Sequence, residues 1–268
     1  MRTIDDVLDE LDTMIDRAID AGDRAGYFAI LYRNVTAKVK EGIAAGFFDD
    51  PQRMERLDVL FAARYLDAVR DHAAGGPVTD SWALTFAAAG RRRPLVLQHL
   101  LFGINAHINL DLGIAAARCS PGADHAGLRG DYERINQILA AMIASVQADL
   151  LRISPWMRWL DAIGARTQHE LIRFSIVVAR SGAWQFATAL NATAPDAWDA
   201  AIADRDARVA RVGRMVLNPG ALMSAGLLLV RARERGDVRA NLRLLRDAPA
   251  PPLQAAVRPD LDVRPAEG

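Results

Sequence analysis

A single cysteine, Cys119, in 268 residues can form neither an internal disulfide nor a multi-cysteine metal site, so packing and polar pairing must hold the fold. There is no excess of either charge: 33 Lys plus Arg stand against 33 Asp plus Glu. No net field therefore recruits nucleic acid or an anionic membrane, and neither is expected as a partner. Alternating apolar and polar residues with turns at hairpin spacing are missing, which argues against strands. No internal repeat is visible. A basic, then apolar leader is missing too: the opening MRTIDDVLDELD is acidic and amphipathic, unlike a signal or transit peptide, and a cytoplasmic location is the expectation.

Apolar residues are plentiful, at 51%, and they recur at helical spacing almost throughout. Helices are expected over about 4–21, 24–45, 51–72, 81–89, 94–118, 132–152, 154–164, 167–190, 195–216 and 221–235, separated by Gly, Pro and Asn-Pro-Gly breaks. SPGADHAGLRG, Ser120 to Gly130, reads as the longest loop of the first half. The expectation is one all-α domain over residues 1–246, with roughly nine or ten helices around a central buried helix at 94–118. The proline-rich residues 247–268 are expected to be a disordered tail.

The central helix carries the most information. Pro94–Ala117 is long enough to suggest a membrane span, yet Gln98, His99, Asn105, His107, Asn109 and Asp111 make it too polar to face lipid. His99, Gly103, His107 and Asp111, spaced four apart, form a slowly drifting stripe at about 100° per residue. Burying such groups without partners costs roughly 1–3 kcal/mol each, so they mark a candidate site.

His107 and Asp111 lie one turn apart, close enough for the carboxylate to orient the imidazole or for both to face one cation. A metal such as zinc would draw on His99, His107, Asp111 and Asp58, with His169 and Glu170 as further ligands from another helix. Without a metal, His107 becomes an acid or base oriented by Asp111, and Asn105 or Asn109 holds a substrate carbonyl or a neighbouring turn. Alternatively, these groups satisfy only one another in the core. Gly103 leaves a notch where a ligand could approach the backbone.

Two further groups stand out. His169, Arg173, Arg180 and Trp184 fall within about 60° of one another on a helix, so the arginines either clamp a carboxylate or phosphate or cross-brace helices. Arg64 shares the apolar side of its helix with Leu57 and Phe61, with Asp58 and Tyr65 beside it. It either finds a buried carboxylate such as Asp111 or Asp58, or keeps its head in water. Trp82 reads as core or as the lining of a pocket mouth, and His72 and His125 read as loop or helix-end surface residues.

LDVLFAARY at Leu57–Tyr65, Ser81-Trp82, LFGINAHINLDLG at Leu101–Gly113, Arg173 and the AR-x-x-AW of Ala179–Trp184 resemble a bacterial and fungal family catalogued as a domain of unknown function, number 5995. The likeness spans roughly Leu31 to Leu190 and implies that the three groups of residues belong to one site. His107 and Asp111 are also similar to the His-x-x-x-Asp pair of the all-α zinc-dependent phospholipase C and single-strand nuclease superfamily. That pattern has a further histidine where this chain has Ala117.

The expectation is a small-molecule enzyme with His107, Asp111 and Asn105 at its centre and Arg64, Tyr65, Arg173, Arg180 and Trp184 around the substrate. Metal-assisted hydrolysis of an ester or phosphoester leads. A metal-free acid–base cyclase, isomerase or lyase, and a non-catalytic ligand-binding protein, are the alternatives. No organic cofactor is indicated, and the amphipathic first helix offers a surface for a homodimer.

Overall fold

Helix ends follow the local chemistry. In the computed structural model, which describes residues 2–122, 124–155, 176–218, 227–228, 230–234 and 236–249, α1 (Ile4–Ala21) starts at a capping box. Thr3 Oγ1 accepts from Asp6 N at 3.2 Å and Asp6 Oδ2 accepts from Thr3 N at 2.7 Å. The helix stops where Gly22 takes the left-handed conformation, φ 68°. After α2 (Gly26–Ala44), Asp50 caps α3 (Pro51–Ala73) through Arg53 N at 2.9 Å, with proline in the first turn. A long-range carboxylate starts α4 (Asp80–Ala89), since Asp206 accepts from Asp80 N and Ser81 N at 2.6 and 3.0 Å.

The central rod then runs as α5 (Val96–Ala106), one π-helical turn (His107–Asp111) and α6 (Leu112–Cys119). Beyond it come α7 (Asp124–Ile153), α8 (176–191), α9 (Trp198–Leu217) and α10 (Val238–Arg246). The fold is all-α, and among the described residues there is no strand.

Two boundaries differ from the sequence reading. The loop expected over Ser120–Gly130 is helical from Asp124 onward, because His125, Leu128, Asp131 and Tyr132 continue the buried face of α7 and offset the cost of Gly127 and Gly130. Helix α10 was not expected. Asp237 caps it through Ala240 N at 3.1 Å, and it buries Asn241, Leu242 and Leu245 against α1 and α2. Residues 250–268, most of the expected tail, lie outside the described residues, as do Trp156, Trp159 and most of the helix expected over 154–164.

The rod packs against α2, α3, α4 and α9. By length and composition Val96–Cys119 could cross a membrane, but 78% of its most apolar window is buried inside the protein. Close approach explains two of its glycines. A Cβ on Gly103 would sit 2.2 Å from Phe28 Cγ of α2, and one on Gly113 would sit 2.8 Å from the Ala183 carbonyl of α8. The Gly103 notch is therefore filled by Phe28 and gives no ligand access to the backbone.

Candidate functional site

The π turn places two residues of the stripe side by side. Turns closed by i→i+5 bonds are wider than α turns and recur at functional sites, and here the turn contains both His107 and Asp111. Asp111 is completely buried and takes three donors: Arg64 Nε reaches Oδ1 at 3.1 Å, while Trp82 Nε1 and His107 Nδ1 reach Oδ2 at 2.8 and 3.2 Å. One carboxylate thus ties α3, α4 and the central rod together. The guanidinium of Arg64 is the partly exposed member, its side chain 26% accessible. Its stem lies in the core, and its head meets both Asp111 and water.

Burial holds the His107 imidazole below its usual pKa despite the neighbouring carboxylate. The neutral ring must donate Nδ1–H to Asp111, which leaves a lone pair on Nε2. That nitrogen is buried and has no hydrogen-bond partner. An aromatic cage surrounds the ring: Phe61 stacks on it at 3.6 Å between centroids and 9° between planes, Tyr32 meets it edge-on at 4.4 Å, and Phe28, Tyr65 and Trp82 stand within 6.1 Å.

Beside the cage, Asp58 Oδ2 is also buried without a partner. Desolvation, reinforced by Glu55, pushes the Asp58 carboxyl up to about 7. Burial and the Asp58 charge together push the Tyr32 hydroxyl well above its usual range.

The other sequence candidates go elsewhere. Asn105 Nδ2 donates to the Val209 carbonyl at 2.9 Å and its Oδ1 accepts from Asn109 at 3.1 Å, so it ties the rod to α9 and does not hold a substrate beside His107. Arg205 of α9 donates to the Asn109 carbonyl at 2.8 Å. His99, eight residues before His107, is rotated from it by roughly 80° and lies against Tyr27, ring centroids 5.9 Å apart. Among the described residues no three His, Cys, Asp or Glu side chains come together in a way that could hold a metal. The proposed set of His99, His107, Asp111 and Asp58 therefore does not converge. His169, Glu170 and Arg173 lie outside the described residues.

Arg180 and Trp184 form a separate cluster. The Arg180 guanidinium lies 4.4 Å from the Tyr132 ring centroid and donates to the Tyr132 carbonyl, while Tyr132 Oη donates back to the Arg180 carbonyl at 2.7 Å. Trp184 stacks on His125 at 4.1 Å, and Arg129 covers it at 5.1 Å. His125 is accordingly buried, not a surface residue, and Arg180 braces α7 to α8.

The bond from Trp82 to Asp111 is what sequence reasoning missed. A buried indole N–H demands an acceptor, and that demand is the signal that could have pointed to a buried carboxylate. Trp82, Tyr65 and Phe28 also line a solvent-open cleft, so the network sits one layer of rings beneath the surface.

No curated protein and no solved structure matches this chain. The zinc-enzyme likeness rests on His107 and Asp111 alone, and these two pair with each other. The resemblance carried by Leu57–Tyr65, Ser81-Trp82 and Leu101–Gly113 is matched over most of the chain, residues 4–219, and the protein belongs to the family of unknown function DUF5995.

Proposed function

We propose that this protein is a small-molecule enzyme working by metal-free acid–base chemistry at His107. The unpartnered Nε2 of His107 carries the reading. An orphaned buried acceptor costs about 1–3 kcal/mol, so a donor that reaches it is favoured. A substrate hydrogen would supply the missing partner. Nε2 takes that proton, Asp111 fixes the tautomer and compensates the imidazolium, and Arg64 and Trp82 hold Asp111 in place. Hydrolysis through a divalent cation is less well supported, because among the described residues no third His, Cys, Asp or Glu joins His107 and Asp111. Balanced charge and the burial of the span-length helix support a cytoplasmic protein with a small-molecule partner.

One observation favours a non-catalytic ligand-binding protein: His107 is 1% and Asp111 0% exposed. In that reading the network fixes helix register, whereas catalysis requires the Phe28–Tyr65–Trp82 wall to swing aside. The two readings separate when wild type and His107→Gln are incubated with a small-molecule extract and compounds are followed by mass spectrometry alongside melting curves. Acid–base catalysis requires a compound that wild type converts and the folded variant converts about 100-fold more slowly or less. Equal conversion, or no conversion by either, removes His107 from the chemistry.

A further inference from the structure

The 33 charges of each sign are not evenly spread. Helix α1 carries seven acidic residues and one arginine. The second half of α9, from Arg205 to Leu217, carries four arginines and a single acid, Asp206, which is buried and caps α4. Helix α1 packs on α2, α3 and α10, whereas α9 packs on α4, α5 and the π turn, so the acidic and the basic helix lie on different sides of the central rod. Neutral as a whole, the molecule is locally charged.

The basic side is also apolar. On α9, Arg208, Arg211, Val212 and Met215 fall within about 100° of one another, on the side opposite the buried Val209, Ala210 and Gly213. Val212 is 42% and Met215 58% exposed. Arg208 pairs with Asp204, but exposed Arg211 and Arg214 have no carboxylate partner among the described residues.

Two neighbouring elements extend this face. Gln98 Nε2 donates to the Val216 carbonyl and Asn105 Nδ2 to the Val209 carbonyl, both at 2.9 Å. These bonds set α5 antiparallel to α9 and bring Leu101, midway between them on the same side of α5, alongside Val212. Leu101 is 38% exposed. Leu84 of α4 packs on Gly213, so the turn that joins Leu84 to Gln98, with exposed Arg91, Arg92 and Arg93, lies near the C-terminal end of α9 and adds to the field there.

We propose that this face, built from Leu101, Arg208, Arg211, Val212, Arg214 and Met215, docks on an anionic lipid bilayer. The arginine heads take the headgroup phosphates, and the apolar side chains enter the interfacial layer. The outer side of a helical rod is convex and offers no groove to a peptide, so an extended anionic surface fits it better. Exposed Leu101, Val212 and Met215 favour lipid, whose acyl boundary shelters them, over nucleic acid. Attachment is peripheral, since the span-length helix Val96–Cys119 stays in the core, and acidic α1 is turned away from the membrane. None of this depends on the chemistry at His107.

Co-sedimentation of the intact protein with vesicles tests it, using phosphatidylcholine alone and phosphatidylcholine mixed with phosphatidylglycerol. Partition onto the mixed vesicles is expected at about 0.1 M salt, with loss as salt rises towards about 1 M. Partition onto neutral vesicles should be at least about tenfold weaker. Arg211→Gln combined with Arg214→Gln should weaken binding to mixed vesicles about tenfold or more. Arg17→Gln, which removes one charge from exposed α1, should leave it within about twofold. Met215→Ser should weaken it several-fold without changing the charge, which separates insertion from a purely electrostatic contact. All four positions are exposed, so the variants keep the fold.

No partition onto mixed vesicles at about 0.1 M salt, or equal partition onto neutral ones, would overturn the proposal. So would an Arg17→Gln variant as weak as Arg211→Gln, because net charge and not this face would then set the binding. Unchanged binding by Met215→Ser, together with tighter binding of wild type to a duplex oligonucleotide than to vesicles, would give the face to nucleic acid and equally overturn it.

Discussion

Trp82 Nε1 lies 2.8 Å from Asp111 Oδ2, so the indole of α4 is tied directly to the carboxylate of the π turn. The same carboxylate serves Arg64 and His107, and its loss leaves three donors stranded in or near the core. Asp111→Leu is expected to cost about 3–5 kcal/mol, the penalty for breaking a buried charge network from one side. Trp82→Phe keeps most of the ring packing, removes one donor and costs about 1–2 kcal/mol. Urea unfolding followed by circular dichroism checks both. Equal, small losses would mean that Asp111 does not organise the network.

Phe28 occupies the space a side chain at position 103 would need. With a Cβ on Gly103 placed 2.2 Å from Phe28 Cγ and 2.8 Å from its Cβ, Gly103→Ala forces α2 away from the rod. A loss of about 2–4 kcal/mol is expected, at the upper end of overpacking costs. Combining it with Phe28→Ala, which removes Cγ, should recover part of that loss, giving a favourable coupling of about 1 kcal/mol or more in a double-mutant cycle. Strictly additive effects would show that the two residues are not in contact.

The helical architecture was legible because the breaks are local: Thr3, Gly22, Asp50-Pro51 and the Gly75 turn each announce themselves within a few residues. The same local logic read Gly127 and Gly130 as loop, although Leu128 and Tyr132 face the core and decide the matter through contacts made by distant residues. The stripe was legible as a cost, and His107, Asp111 and Arg64 do meet. Its geometry was not. A sequence does not show where an α-helix opens into a π turn, nor that His99 turns towards Tyr27 and away from the rings around His107. The pairing of Arg180 with Tyr132 depends on helix placement and was invisible for the same reason.

Arg180 gives a prediction that separates bracing from ligand recognition. It is 2% exposed and joined to Tyr132 by two bonds, each from one residue's side chain to the other's carbonyl, away from the network around Asp111. Arg180→Met should lower stability by about 1–3 kcal/mol, since the Tyr132 carbonyl loses its donor. Unchanged stability would return Arg180 to ligand recognition.

Asp58 makes stability depend on pH in a direction opposite to that of most carboxylates. Its folded pKa, pushed up to about 7 by burial and then by Glu55, exceeds the unbound value of 3.8. Between those two values the folded state holds a proton that the unfolded state has released, so its contribution is fully present below about pH 4 and is lost as pH rises through 7. His99 acts the other way. Its pKa falls from 6.5 to about 4, so the unfolded chain takes up the extra proton and stability falls as pH drops through that window. The two effects offset each other in wild type between about pH 4 and 6.5, which hides both in a single curve. Asp58→Asn isolates one of them, because the amide mimics the protonated acid without titrating. The variant is expected to match wild type near pH 4 and to melt several degrees higher at pH 8, about 2–4 °C for each kcal/mol regained. Melting curves from pH 4 to 8 decide it. A constant offset between the two proteins across that range would mean that Asp58 titrates normally, and that its unpartnered oxygen finds solvent.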